Sequence, residues 1–201
     1  MPAIRWLRDH AQPDWSVFEW GSGASTLFMA RAVGHLVSVE HDTAWHRRVA
    51  ETLKLGHISN VDLRLIEPEP GSEVVPGLFR SSFPEYRHLS FRAYVSAIDS
   101  QPEASLDLVM VDGRARPGCI SHAAPKVRPG GFLMLDNAER PAYAGAIQEL
   151  EAAGWERQPL VGPVPACRWP AFADTSIFVR PGVATSSRND SATPTPPPRQ
   201  S

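Results

Sequence analysis

The chain has 201 residues, 42% hydrophobic and 21% charged, with a formal net charge of −2. At that length one domain with a substantial core is the simplest organisation, and a near-neutral balance without a long basic run excludes, on the face of it, a nucleic acid partner. Cys119 and Cys167 have no metal or redox spacing, and no signal-peptide run or membrane-length apolar segment occurs, so the expectation is a cytoplasmic protein with no membrane association.

In chain order, residues 1–14 read as a short leader with a helix around Ile4 to His10, stopped by Pro13. Val17 to Glu19 reads as a strand, Gly21 and Gly23 as a turn, and the next stretch as a helix through about Val33, capped by Ser25 or Thr26. Leu36 to Val39 is a second strand ending in Glu40. Asp42 caps a helix whose Trp45, Val49 and Leu53 recur at helical spacing and which Gly56 ends; Val61 to Ile66 is a third strand. The proline-rich stretch Glu67 to Glu85 is a long loop, and Phe91, Val95 and Ile98 mark a helix over Ser90 to Asp99.

The run Leu106 to Val111 is nearly continuously apolar, as expected for a strand buried on both faces, and it ends in Asp112-Gly113. A helix over Cys119 to Val127 and a turn at Arg128 to Gly131 lead to a fifth strand, Phe132 to Leu135, ending in Asp136-Asn137. A helix over Pro141 to Ala153 precedes two strands, Glu156 to Val161 and Ser176 to Arg180, that form a terminal hairpin around a loop from Gly162 to Pro170. From Pro181 hydrophobic content collapses, and residues 181–201 read as a disordered tail after a domain at 1–180.

The chemistry concentrates at Val17 to Asp42. A βαβ unit brings the first turn and the end of the second strand to one edge of a parallel sheet, where Gly21 and Gly23 let a ligand approach the backbone and Glu40 accepts from a ribose diol. Glu19, two residues before the first glycine, would repel a pyrophosphate, and Thr26 stands where a dinucleotide site has its third glycine. A ligand with an ammonium and a sulfonium is instead favoured by these acids. EWGSG and Glu40 resemble the first motif and the ribose acid of the class I S-adenosylmethionine-dependent methyltransferases. VFEWGSGAST, VSVEHD, VDGRARPGC and GGFLMLDNAER together are similar to a group of small bacterial methyltransferases.

The resemblance covers about residues 15–180. It implies an α/β, Rossmann-like fold with a seven-stranded, mostly parallel sheet in the order 3-2-1-4-5-7-6 and helices on both faces. It also implies S-adenosyl-L-methionine as cofactor, held by Glu19, Gly21, Ser22, Gly23, Ser25, Thr26, Glu40, His41 and Asp112. Asp112 faces that pocket from the side opposite Glu40, as an orienting group, a base or a metal ligand. Asp112, Asp136 and Asn137 at adjacent strand ends are oxygen ligands suited to Mg²⁺, similar to the metal set of the catechol O-methyltransferase family. That family's catalytic lysine falls at Ala115 here, between Arg114 and Arg116. Asp136-x-x-Glu139 reads equally as a helix capping box.

Arg114, Arg116 and Arg140 lie near the same edge, where they would steer an anion. The function expected is methyl transfer to a small-molecule acceptor. A non-catalytic cofactor-binding protein and an NAD-dependent oxidoreductase remain as alternatives. Nothing in the sequence speaks to oligomeric state.

Overall fold

The computed structural model describes residues 2–71, 77–163 and 172–182. The tail expected to be disordered lies, after Gly182, outside the described residues, as do the middle of the 67–85 loop and most of the loop from Gly162 to Pro170.

The elements are α1 (Pro2–His10), β1 (Ser16–Trp20), α2 (Ala24–Met29), β2 (His35–Glu40), α3 (Thr43–Leu55), β3 (Val61–Leu65), α4 (Arg92–Val95), β4 (Leu106–Val111), α5 (Arg116–Ala123), β5 (Val127–Leu135), α6 (Ala144–Ala152), β6 (Glu156–Pro163) and β7 (Phe172–Val179). The seven strands form one sheet in the order β3-β2-β1-β4-β5-β7-β6, with β7 antiparallel to both neighbours. This is the expected order, and a single reversal of direction at the end of the chain produces it.

Period-two alternation explains why the central strands bury both faces. Val17, Leu36 and Leu108 point to one side, where they pack with Trp6 and Leu7 of α1 and Met29 of α2. Phe18, Val37 and Val109 point to the other, against Tyr94, Ile120 and Ile147 from α4, α5 and α6. Each such fully buried side chain contributes about 1.5–3 kcal/mol.

Several boundaries differ from the sequence reading. Helix α2 is capped at Gly23, and Thr26, at its third position, reaches back to accept from the Gly23 N–H at 2.8 Å. The expected turn Arg128 to Gly131 belongs to β5, because Gly130 and Gly131 exchange backbone hydrogen bonds with Arg180 after β7. The register of β5 on β4 shifts there, with Gly130 at φ +72°. Helix α5 starts at Arg116, three residues earlier than expected, which places Ala115 in the left-handed region at φ +48°. Asp42 caps α3 as expected, accepting from Trp45 N at 2.7 Å. Among the described residues no helix is long and apolar enough to cross a membrane.

Candidate functional site

The C-terminal tips of the parallel strands meet through backbone. Gly21 N donates to Val39 O at 2.9 Å and Asp112 N to Trp20 O at 3.0 Å, while Asp136 N donates to Val111 O at 3.2 Å. Glu40, Gly21, Asp112 and Asp136 therefore follow their strands side by side along one edge. Gly21 has φ +94°, and a Cβ there would lie 2.9 Å from the Asp112 backbone. A Cβ on Gly113 would lie 2.0 Å from the Tyr94 hydroxyl. Both glycines are required by this closeness.

A cavity of about 390 Å³ opens over the junction. Gly21, Ser22, Glu40 and His41 line one side, Asp112, Gly113 and Arg114 the other, with Trp45 and Tyr86 as aromatic walls. Glu40 is 3% exposed. Its Oε1 accepts from the N–H groups of His41 and Asp42 at 2.7 and 2.8 Å, and His41 Nδ1 lies 2.8 Å away. Oε2 accepts only a long bond, 3.2 Å, from Ser22 N. Burial opposes ionisation, but the donors from His41 and Asp42 outweigh it and hold this carboxyl below its usual range. One oxygen of a fixed carboxylate thus remains free to accept, which fits a ribose diol. His41 Nε2 lies 3.3 Å from the Tyr86 hydroxyl, so His41 is tied into the aromatic wall.

Glu19 stands elsewhere. It is fully buried, and its carboxylate accepts from the hydroxyls of Ser25, Thr26 (2.5 Å) and Ser38 (2.7 Å). Burial raises its pKa in spite of those three donors, and repulsion from Glu40 adds to the rise. The direct attraction for a cofactor ammonium expected from the sequence is therefore replaced by an indirect role: Glu19, Ser25 and Thr26 clamp the first turn of α2 onto β1. The Ser22 hydroxyl, 2.7 Å from Ser38 Oγ, extends the same buried chain. Gly23 sits beyond it with only the Trp45 ring, at 4.0 Å, near a Cβ.

Asp112, Asp136 and Asn137 come together as expected, and all three line a neighbouring cavity of about 260 Å³. Their partners are not those of a metal site. The Arg116 guanidinium, 5% exposed, donates to Asp112 Oδ1 at 2.8 Å and lies 3.7 Å from Asp136 Oδ2. It also donates to the carbonyls of Gly113 (3.0 Å), Asp112 (3.1 Å) and Asp136. Asp136 Oδ1 accepts from Thr175 at 2.9 Å. A cation already stands between the two carboxylates, so the residues do not fit Mg²⁺; among the described residues no group of three or more metal-binding side chains forms. The capping box is absent too, since Glu139 accepts from Asp174 N across the sheet end.

Asp112 is pushed up to about 7 by crowding from the protein and by the Asp136 carboxylate, against the pull of Arg116. Its side chain is still 49% exposed, so solvent tempers these interactions. Sequence reasoning missed Arg116 as the counter-ion, Thr175, and the wall Tyr86, and it left Trp45 open between a core and a cofactor-lid residue. Trp45 recurs at core spacing, yet it is 44% exposed, and its indole N–H donates to Ser22 O at 2.7 Å. The lid reading of the tryptophans is the one that fits it, since the first turn of α3 carries it over the ribose acid.

No family model and no curated protein matches the chain. Solved structures do. A precorrin-6y C5,15-methyltransferase from Geobacter metallireducens matches with a TM-score of 0.61 at 14% identity, over 90% of this chain and 87% of that one. A Streptococcus mutans protein solved in complex with SAH (S-adenosylhomocysteine) matches with a TM-score of 0.60 at 11% identity, over 89% and 98%. An rRNA methylase from Streptococcus thermophilus matches with a TM-score of 0.56 at 12% identity, over 90% and 97%. This last likeness overturns the expected exclusion of nucleic acid. A net charge of −2 describes the chain as a whole, whereas a phosphate backbone responds to local charge. The strand order, the single reversed strand and these likenesses agree, and the chain has the class I methyltransferase fold.

Proposed function

We propose that the chain is an S-adenosylmethionine-dependent methyltransferase whose cofactor binds in the 390 Å³ cavity over the β1, β2 and β4 tips. The observation that carries this reading is Glu40: a buried carboxylate, held ionised by the His41 ring and backbone donors, with one oxygen left to accept at the cavity wall. When bound, the cofactor supplies a methyl group on an activated sulfonium. The protein's part is mainly alignment of the acceptor with that carbon, worth up to about 7–11 kcal/mol.

Gly21 and Ser22 present backbone to the ligand, while Trp45 and Tyr86 flank it. Asp112 lines the cofactor cavity and also the two cavities, about 260 and 150 Å³, on the α1 side. A group at that junction whose carboxyl titrates at about 7 is suited to take a proton from an acceptor. We assign Asp112 as the general base. The acceptor we leave at the coarser level of a nucleophile that reaches Asp112; small molecules and RNA both satisfy that requirement.

The test is calorimetric titration with S-adenosylhomocysteine and with NADH, followed by transfer assays with methyl-labelled S-adenosylmethionine. Binding of S-adenosylhomocysteine and none of NADH is expected. The opposite result would sink the reading.

A further inference from the structure

Arg114 partitions two cavities. Its guanidinium carbon lies 4.2 Å from the centre of the Phe83 ring and 5.3 Å from that of Tyr86. Tyr86 lines the proposed cofactor cavity, whereas Phe83 lines a second cavity of about 160 Å³ beyond it. Gly113 and Arg114 form the wall the two share. The second cavity has the liquid volume of about five water molecules, room for one oxyanion group and a short stem.

Its chemistry is one-signed. Arg80, Arg114 and Arg116 line it, together with Ser81 and Ser82, and no carboxylate does so among the described residues. Arg116 is committed to Asp112 and to three carbonyls. Arg80 and Arg114 are not: among the described residues neither has an acid within ion-pair distance, unlike Arg8, Arg64, Arg128 and Arg157, which each pair with an Asp. Arg114 Nε is buried without a hydrogen-bond partner. A buried, unpaired donor of a charged group is costly to leave so, and an arriving acceptor relieves that cost.

The remaining features agree. Ser81 Oγ accepts from Phe83 N at 3.2 Å, which fixes the hydroxyl and leaves its proton free to donate. Ala115, the N-cap of α5, and the first helical residues Arg116 and Pro117 close the cavity, so the positive end of an eight-residue helix adds to the field. Arg140, whose guanidinium carbon lies 5.8 Å from the centre of the Phe83 ring, raises the local charge further. The planar guanidinium fork matches carboxylate and phosphate geometry.

We propose that this cavity is a second ligand site, beside the cofactor cavity, for an oxyanion group held by Arg80, Arg114 and the Ser81 hydroxyl. The ligand is a molecule bearing a phosphate or a carboxylate. The site stands on its own residues and does not depend on the methyltransferase reading.

The test is calorimetric titration of the whole chain with inorganic phosphate, acetate and a short oligouridylate at constant ionic strength, with and without saturating S-adenosylhomocysteine. At least one of the three is expected to bind, and the tightest identifies the source as a phosphate monoester, a carboxylate or a backbone phosphodiester. Arg80→Ala, an exposed position, and Arg114→Gln, its fold checked by thermal melting, should each weaken that binding tenfold or more. Arg8→Ala, at an exposed position of α1 outside both cavities, should leave it unchanged. No binding of any of the three, or an equal loss in Arg8→Ala, overturns the site. If the anion binds and S-adenosylhomocysteine does not, the methyltransferase reading falls and this one stands.

Discussion

Two pairs of acids meet at the sheet edge, and the protein treats them differently. Glu19 and Glu40 lie at the tips of β1 and β2, both buried. Only backbone N–H groups and the His41 ring compensate Glu40, and only hydroxyls compensate Glu19. Asp112 and Asp136, at the tips of β4 and β5, instead share the full charge of Arg116. The first pair is thereby split: Glu19 rises toward its neutral form, and Glu40 stays charged. The second pair stays coupled, with Asp112 displaced to about 7. Fixed dipoles make a static acceptor, whereas crowding and the neighbouring Asp136 carboxylate, only partly offset by one guanidinium, make Asp112 a group that exchanges protons near neutrality.

The largest effect should come from breaking the first pair. Glu19→Ala leaves three hydroxyls, on Ser25, Thr26 and Ser38, without their acceptor, and should cost about 3 kcal/mol of stability in urea denaturation. Glu19→Gln keeps an acceptor and should cost about 1 kcal/mol. Equal costs would show that the charge itself, and not the hydrogen bonding, holds the turn.

Next in size is Arg116→Met, expected to cost about 2–3 kcal/mol through lost charge-assisted bonds to buried carbonyls and Asp112. The freed carboxylates should then gain stability from Mg²⁺ that the wild type does not show. Mg²⁺ stabilisation of the wild type, measured by melting temperature, would show that a metal displaces the guanidinium after all.

Glu40→Ala should weaken S-adenosylhomocysteine binding by about 1.5–3 kcal/mol, the range for a hydrogen bond to a charged group, as read by calorimetry. Unchanged affinity in a folded variant would remove Glu40 from the ligand site.

The last effect is a pH dependence, tempered by solvent because the Asp112 side chain is 49% exposed. The folded pKa of Asp112 lies above its unfolded value of roughly 3.9. Between about pH 4 and 7 the folded chain therefore holds more proton than the unfolded one, and stability falls as pH rises through that window. Glu19, also raised, contributes in the same direction, so the informative quantity is the difference between wild type and Asp112→Asn, which should flatten the decline. In the same window methyl transfer should rise as Asp112 loses its proton, and Asp112→Asn should abolish that rise. A profile unaltered by the substitution would exclude Asp112 as the base.

What the sequence determined by itself was local or periodic. The apolar run Leu106 to Val111 announced a strand buried on both faces, because the pleat has period two and neither of its sides is predominantly polar. Asp42 announced a cap, and the spacing from Gly21 to Glu40 announced a βαβ unit, since both signals lie within one element or one crossover. Only the tertiary structure decided what each carboxylate faces. Glu19 looked like a ligand because it precedes the glycine turn, but its register opposite Ser38 and the return of α2 above it turn its carboxylate toward three hydroxyls. Asp112, Asp136 and Asn137 looked like a metal set because no local rule shows that α5 begins at Arg116 and carries its guanidinium back between them. Likewise, the sequence already placed Arg114 and Arg140 at one edge, but only the folded chain shows that Arg80 joins Arg114 around one cavity beside Phe83. Periodicity reports which side of an element is buried, whereas the partner of a charge depends on contacts between residues far apart in the chain.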